Sequence, residues 1–274
     1  VKTSRILQLA ILTLLAILVP VLGHAATSPL NYPYGLATNA SGDLYVANYS
    51  GNNILVYNPA HAQTGRVTQG VSGPNGVAID PSGNLWVANG LSNSVTNYSS
   101  AGIQNTAATI TSSVYNPTAI AVDGLSDVLI VNNYYLLGIW PSLLQGEPLT
   151  TQTFGGASIT GVATYKDLFL VGGNNNSFYG ENYTWVQQGI SQQLPPTCFA
   201  PAFDTAGDLY CGNIDNTLTV VLRNSDTVTM LAHLPFFPNG IAIDTKRGWI
   251  YLSNGTGNEI AVYSINGKLL HTIK

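Results

Sequence analysis

The 274-residue chain is 45% hydrophobic and only 8% charged, against about 25% charged residues in an ordinary globular protein. With 9 Lys and Arg against 13 Asp and Glu, the net charge of −4 leaves no cationic patch able to neutralise a run of phosphates, which excludes nucleic acid as a partner. The apolar fraction excludes a disordered chain, and the uncharged polar surface must come from the 26 Asn, 28 Gly and 15 Tyr.

Lys2 and Arg5 precede an almost wholly apolar stretch, Ile6 to Leu22, which ends in Gly23-His24-Ala25-Ala26. A basic start, an apolar middle and a small-residue exit predict a secretory signal peptide over residues 1–26, cut after Ala25 or Ala26. The mature protein is expected to be secreted or periplasmic, monomeric, and without a membrane segment after cleavage.

From residue 27 onward one block recurs. It starts at Tyr34-Gly35-Leu36-Ala37, Asn75-Gly76-Val77-Ala78, Thr118-Ala119-Ile120-Ala121, Thr160-Gly161-Val162-Ala163, Phe199-Ala200-Pro201-Ala202 and Asn239-Gly240-Ile241-Ala242, with second residues 41, 43, 42, 39 and 40 positions apart. Each block leads into a turn such as Asp80-Pro81-Ser82-Gly83-Asn84, then a short apolar run such as Leu44-Tyr45-Val46-Ala47. A third run, as in Ile54 to Tyr57, follows a polar loop, and a weaker fourth closes the unit, as in Lys268 to Ile273. Short β-branched and aromatic runs bounded by Gly, Asn, Asp and Pro are strands. Four of them per repeat of this length describe a propeller blade. The expected fold is all-β: one six-bladed β-propeller over 27–274, of four-stranded blades at about 31–72, 73–115, 116–157, 158–196, 197–236 and 237–274.

Pro74-Asn75-Gly76-Val77-Ala78-Ile79-Asp80 followed by Gly83-Asn84-Leu85-Trp86-Val87-Ala88-Asn89 resembles the blades of NHL-repeat and streptogramin-lyase-like propellers, and Pro238 to Asp244 is nearly as close. The resemblance covers residue 30 to the end. It implies an architecture that hosts sensors, scaffolds, lyases and lactonases. For the lyases it implies His and Glu around a divalent metal at the channel. For the gluconolactonase-like propellers it implies a divalent ion held by a Glu, an Asn and an Asp that open inner strands.

In such a ring the loops entering the inner strands and those joining second to third strands share one face, here the top. Eight of the 10 Asp fall in the hairpins of the other face: Asp43, Asp80, Asp123, Asp127, Asp167, Asp204, Asp208 and Asp244. They are expected to open turns rather than to bind cations. The top face is neutral. Its channel mouth is ringed by Tyr34, Asn75, Thr118, Thr160, Phe199 and Asn239, with Tyr134 and Tyr135 in a neighbouring loop among many Asn. Flat aromatics beside adaptable amides suit an uncharged polar ligand. Asn48, Asn89, Asn132, Asn213 and Asn254 recur where the second strand ends and are expected to build the blade.

His61, His233 and His271 fall on a bottom loop and on outer strands, so none can meet at the mouth to transfer protons. The residues point to a non-catalytic binding or interaction module whose partner is a glycan or a protein, with no cofactor. The alternative is a divergent streptogramin-lyase-like or gluconolactonase-like enzyme with Ca²⁺ or Mg²⁺ on Asn75 and Asn239. Cys198 and Cys211 are either a disulfide or buried thiols. A regular hairpin would set Cys211 opposite Pro201 and so on the other face from Cys198.

Overall fold

The computed structural model describes residues 29–141, 148, 150–153, 158–166, 168–173, 178–181, 197–223 and 227–274. The expected signal peptide, Glu147, Asp167 and Asn174 to Asn176 lie outside them. Every regular element among the described residues is a strand, and no helix is long and apolar enough to cross a membrane.

The first sheet is β1 (Pro33–Thr38), β2 (Leu44–Asn48), β3 (Asn53–Tyr57) and β4 (Gln63–Val67). The second is β5 (Pro74–Ile79), β6 (Leu85–Asn89), β7 (Ser94–Tyr98) and β8 (Gln104–Ile110), and the third is β9 (Pro117–Val122), β10 (Val128–Asn132), β11 (Leu136–Trp140) and β12 (Thr150–Thr153). β13 (Ile159–Tyr165), β14 (Leu168–Gly173) and β15 (Phe178–Glu181) form the fourth. The fifth is β16 (Cys198–Phe203), β17 (Leu209–Asn213), β18 (Thr217–Val221) and β19 (Val228–His233); the sixth is β20 (Gly240–Asp244), β21 (Trp249–Asn254), β22 (Glu259–Ser264) and β23 (Leu269–Ile273). Every sheet is an antiparallel meander in chain order. Five are four-stranded rather than the six expected, and the fourth has three described strands. The rest of this blade, expected to end at 196, lies outside the described residues.

The six inner strands β1, β5, β9, β13, β16 and β20 stand side by side around a channel, and β20 returns to β1. The second residue of each repeated block explains their closeness. A Cβ on Gly35 would lie 2.7 Å from the carbonyl oxygen of Asn75, and one on Gly240 would collide with the carbonyl of Tyr34. Only Gly fits at these two positions, while the third and fifth blocks carry Ala119 and Ala200 at the same station.

Each seam between sheets carries its own core. Val46 and Leu55 pack on Tyr251 and Val262 between the last and first sheets, and Ala88 and Val95 pack on Ile130 and Trp140 between the second and third. Second strands, flanked on both sides, are fully buried in β2, β10 and β17, while the outer strands β19 and β23 are largely exposed. The last sheet takes its outermost strand from its own sequence, as expected. The ring therefore closes by packing and by bonds such as Ser253 Oγ to the Tyr34 carbonyl, 2.6 Å.

Candidate functional site

The six block-opening residues Tyr34, Asn75, Thr118, Thr160, Phe199 and Asn239 come together as the sequence predicts, lining one cavity of about 70 Å³ at the top of the channel. A β-bulge puts most of them there. The register between inner and second strands shifts between Pro33 and Leu36, Pro74 and Gly76, Ile159 and Gly161, and Cys198 and Ala200, and opposite Val131–Asn132 in the third sheet. The residue taken out of the ladder is the mouth residue, which is how bulges re-aim side chains. Thr118 Oγ1 donates to the Val131 carbonyl at 3.3 Å and Thr160 Oγ1 to that of Phe199 at 2.9 Å. Asn75 Nδ2 donates to the Pro117 carbonyl at 2.9 Å, and Asn239 Oδ1 accepts from the Gly255 N–H at 2.9 Å. What remains for a ligand is the carbonyl of Asn75 and the amino group of Asn239.

Four tyrosines crowd the same opening. The Tyr34 and Tyr134 hydroxyls meet across the mouth, from the first sheet to the third, and burial is the main cause raising both hydroxyl pKa values above the ordinary tyrosine range. Tyr32 and Tyr49 stand edge to face with centroids 6.1 Å apart. Tyr134 sits at φ 64° after Asn133 at φ 47°, in a tight turn closed by the Tyr135 N–H on the Asn132 carbonyl. Two positive φ values in a hairpin turn ask for Asn-Gly. This chain has Asn-Tyr instead, at a cost of about 1 kcal/mol or more in backbone strain. Tyr135 is 53% exposed beside the mouth.

This geometry has parallels among solved structures. A streptogramin B lyase matches at 13% identity with a TM-score of 0.65, over 90% of this chain and 84% of that one. A gluconolactonase of Xanthomonas campestris matches at 12% and 0.66, over 82% and 84%. The hydrazine synthase of Kuenenia stuttgartiensis matches at 13% and 0.63, over 89% and 98%. The fold is that of a streptogramin-lyase-like β-propeller. No protein-family model matches the chain, and no curated protein matches it in sequence.

The divalent ion that a streptogramin-lyase-like or lactonase-like propeller implies does not suit this mouth. Hard cations want several oxygens, carboxylates among them. Here Asn239 Oδ1 already accepts from the Gly255 N–H, and no carboxylate lines the cavity. The top-loop acids are tied elsewhere: Asp215 Oδ1 accepts from Thr217 Oγ1 at 2.6 Å, and Glu259 meets Asn254 at 3.2 Å and Lys274 at 3.4 Å. Among the described residues no three His, Cys, Asp or Glu side chains converge.

Most of the other amides and acids in this propeller hold loops. Asn48, Asn89 and Asn132 each accept, through Oδ1, the N–H seventeen residues upstream, at Asn31, Ser72 and Tyr115. In the fifth sheet the position seventeen residues before Asn213 is Pro196, which has no N–H to give, and Asn213 Oδ1 has no partner. Asn52, Asn93 and Asn258 adopt positive φ and reach into the next sheet, accepting from the N–H of Gly73, Asn116 and Tyr32 at 2.7, 2.7 and 2.8 Å. On the opposite face Asp80, Asp123, Asp204 and Asp244 line a mouth of about 590 Å³. Each accepts from backbone N–H groups of its own hairpin, as Asp204 does from Ala206 and Asp208 at 2.9 Å. These are turn-opening aspartates, as expected.

Cys198 and Cys211 form a disulfide with Cα atoms 5.2 Å apart. The regular-hairpin argument against it fails at the bulge. Cys211 does face Pro201, but skipping Phe199 sets Cys198 opposite Asn213, two residues from Cys211 and on its face. His61, His233 and His271 stay away from the mouth. Two of them nevertheless meet: His61 joins His271, Trp249 and Tyr251 at the joint of the last and first sheets.

Proposed function

We propose that this protein is an exported, six-bladed NHL-like propeller that acts as a non-catalytic binding module, with a neutral ligand, a glycan or an uncharged protein surface, seated on the top mouth. The observation that carries the reading is Tyr134, an aromatic ring in a left-handed turn where Gly would be free of strain, bonded across the opening to Tyr34. Strained residues that the fold does not need are found where function needs them. Tyr135 and the unpaired amide atoms of Asn75 and Asn239 complete a surface without net charge. The solved neighbours are enzymes, but at such identities they speak for the fold, and the mouth offers no general base.

The test begins with ligand capture on a glycan array and a pull-down from culture medium. Tyr134→Gly should change stability by no more than about 1–2 kcal/mol, because the relaxed turn offsets the lost partner of the Tyr34 hydroxyl, while binding falls at least tenfold, as for an aromatic anchor worth about 2 kcal/mol. Asp204→Ala and Asp244→Ala on the far face should leave affinity unchanged, and binding should depend weakly on salt. Affinity lost in the aspartate variants but kept in Tyr134→Gly would refute the assignment.

A further inference from the structure

We propose a second site: the groove between the second and third sheets binds a neutral sugar ring. The groove, about 310 Å³, is lined by Asp80, Asn84, Trp86, Asn97, Asn105 and Trp140 and lies away from the top mouth. Its distinguishing residue is Asn97, the fourth residue of β7, paired with Trp86 on one side and Asn105 on the other. At the same station the other four-stranded sheets place Val56, Ile139, Val220 and Val262, opposite Tyr45, Leu129, Tyr210 and Tyr251. Packing at this station therefore asks for a β-branched apolar side chain. Asn97 is instead a 4% exposed amide whose one hydrogen bond is a long 3.4 Å contact from Nδ2 to the Leu85 carbonyl. Its Oδ1 accepts nothing from the protein and is not sealed from solvent, so it stands in the groove as an open acceptor.

The neighbouring groups define the ligand. Trp86 is half-buried, and its Nε1 donates to Asp80 Oδ2 at 3.2 Å. Asn84 adds 2.9 Å from its side chain to that oxygen and 2.8 Å from its backbone to Oδ1. The carboxylate is thus occupied by three donors and calls for no cation. An indole beside two adaptable amides offers apolar surface and paired donors and acceptors, which fits the C–H face and hydroxyl edge of a pyranose. The corresponding groove between the last and first sheets shows that a ring fits. There the His61 imidazole lies among Tyr251, which stands where Trp86 does, and His271, which stands where Asn105 does, with centroid separations of 5.7 and 4.5 Å.

The experiment titrates the full chain with methyl glycosides of glucose, galactose, mannose and N-acetylglucosamine at millimolar concentrations, read by tryptophan emission and saturation-transfer NMR. At least one should bind saturably. Asn97→Val, which copies the sibling sheets, should keep or raise the melting temperature and weaken that binding about tenfold, the usual effect of losing one ligand hydrogen bond from a buried amide. Asn105→Ala, on the exposed outer strand, should weaken it severalfold without touching the core, and Tyr134→Gly should not change it. No saturable binding by any of the four glycosides, or undiminished binding in both Asn97→Val and Asn105→Ala, would overturn the proposal and leave the reading of the top mouth intact.

Discussion

Nδ1 of His61 lies 2.7 Å from Nε2 of His271, so an imidazole from the first sheet and one from the last share a proton across the joint that closes the ring. His61 also reaches the Tyr251 hydroxyl at 3.2 Å and stacks at 5.1 Å from Trp249, over which Arg247 lies, itself paired with Asp244 at 2.7 Å. Burial, His271 and Arg247, in that order, hold the His61 pKa below its ordinary value.

A lowered folded-state pKa means that, as pH falls past the unfolded value of about 6.5, the unfolded chain takes up a proton the folded one resists. Stability contributed by this group is present above that pH and is lost on acidification. The melting temperature should fall between about pH 7 and pH 5. His61→Asn, which tolerates the φ of 61°, should flatten that slope, whereas His233→Gln on the exposed outer strand should not. Equal slopes in both variants would place the titration elsewhere.

The disulfide closes a loop with a sequence separation of 13 at the seam between the fourth and fifth sheets, whose buried core consists of Leu170, Leu209 and the two cysteines. A loop of this size contributes about 3 kcal/mol. Cys198→Ala with Cys211→Ala should therefore lower the urea midpoint by a corresponding amount with little change in slope. Reductant should act on the wild type alone.

The left-handed asparagines give a third expectation. Asn52 pins the Gly73 N–H of the next sheet from a φ of 49°. Asn52→Gly loses the bond and should cost about 1 kcal/mol, while Asn52→Ala loses the bond and adds backbone strain, for about 2 kcal/mol in all. Thermal unfolding of the two variants separates the contributions, and Asn93 should behave alike.

The repeated Gly-or-Ala position and the Asp-opened turns made the ring, its mouth and its two faces legible, because each follows from local backbone demands repeated in the chain. What escaped the sequence involves register or closure. The bulge at Phe199 reverses which face Cys198 shares with Cys211, and no periodicity announces a bulge. The His61 and His271 rings lie 210 residues apart in the chain and meet because the first and last sheets adjoin. Asn97 was readable in principle, by stacking the third strands of the repeats and noting an amide in a column of Val and Ile. Several top-face Asn, among them Asn52, Asn93 and Asn258, sit in left-handed turns and bond the next sheet, a role that any Asn-rich loop hides in the sequence.

Every four-stranded sheet is drawn from consecutive residues, and this orders how the chain can fold. Hairpins pair neighbours in sequence, and each seam but one joins sheets adjacent in the chain. Such pieces form early and can start anywhere. The remaining seam must bring together partners such as Tyr32 with Asn258, 226 residues apart, and Tyr34 with Ser253, 219 apart. The loop-closure entropy of the whole molecule falls on that joint, so it closes last and opens first. Partial unfolding should thus convert the ring into an open arc with its sheets intact, before any single sheet is lost.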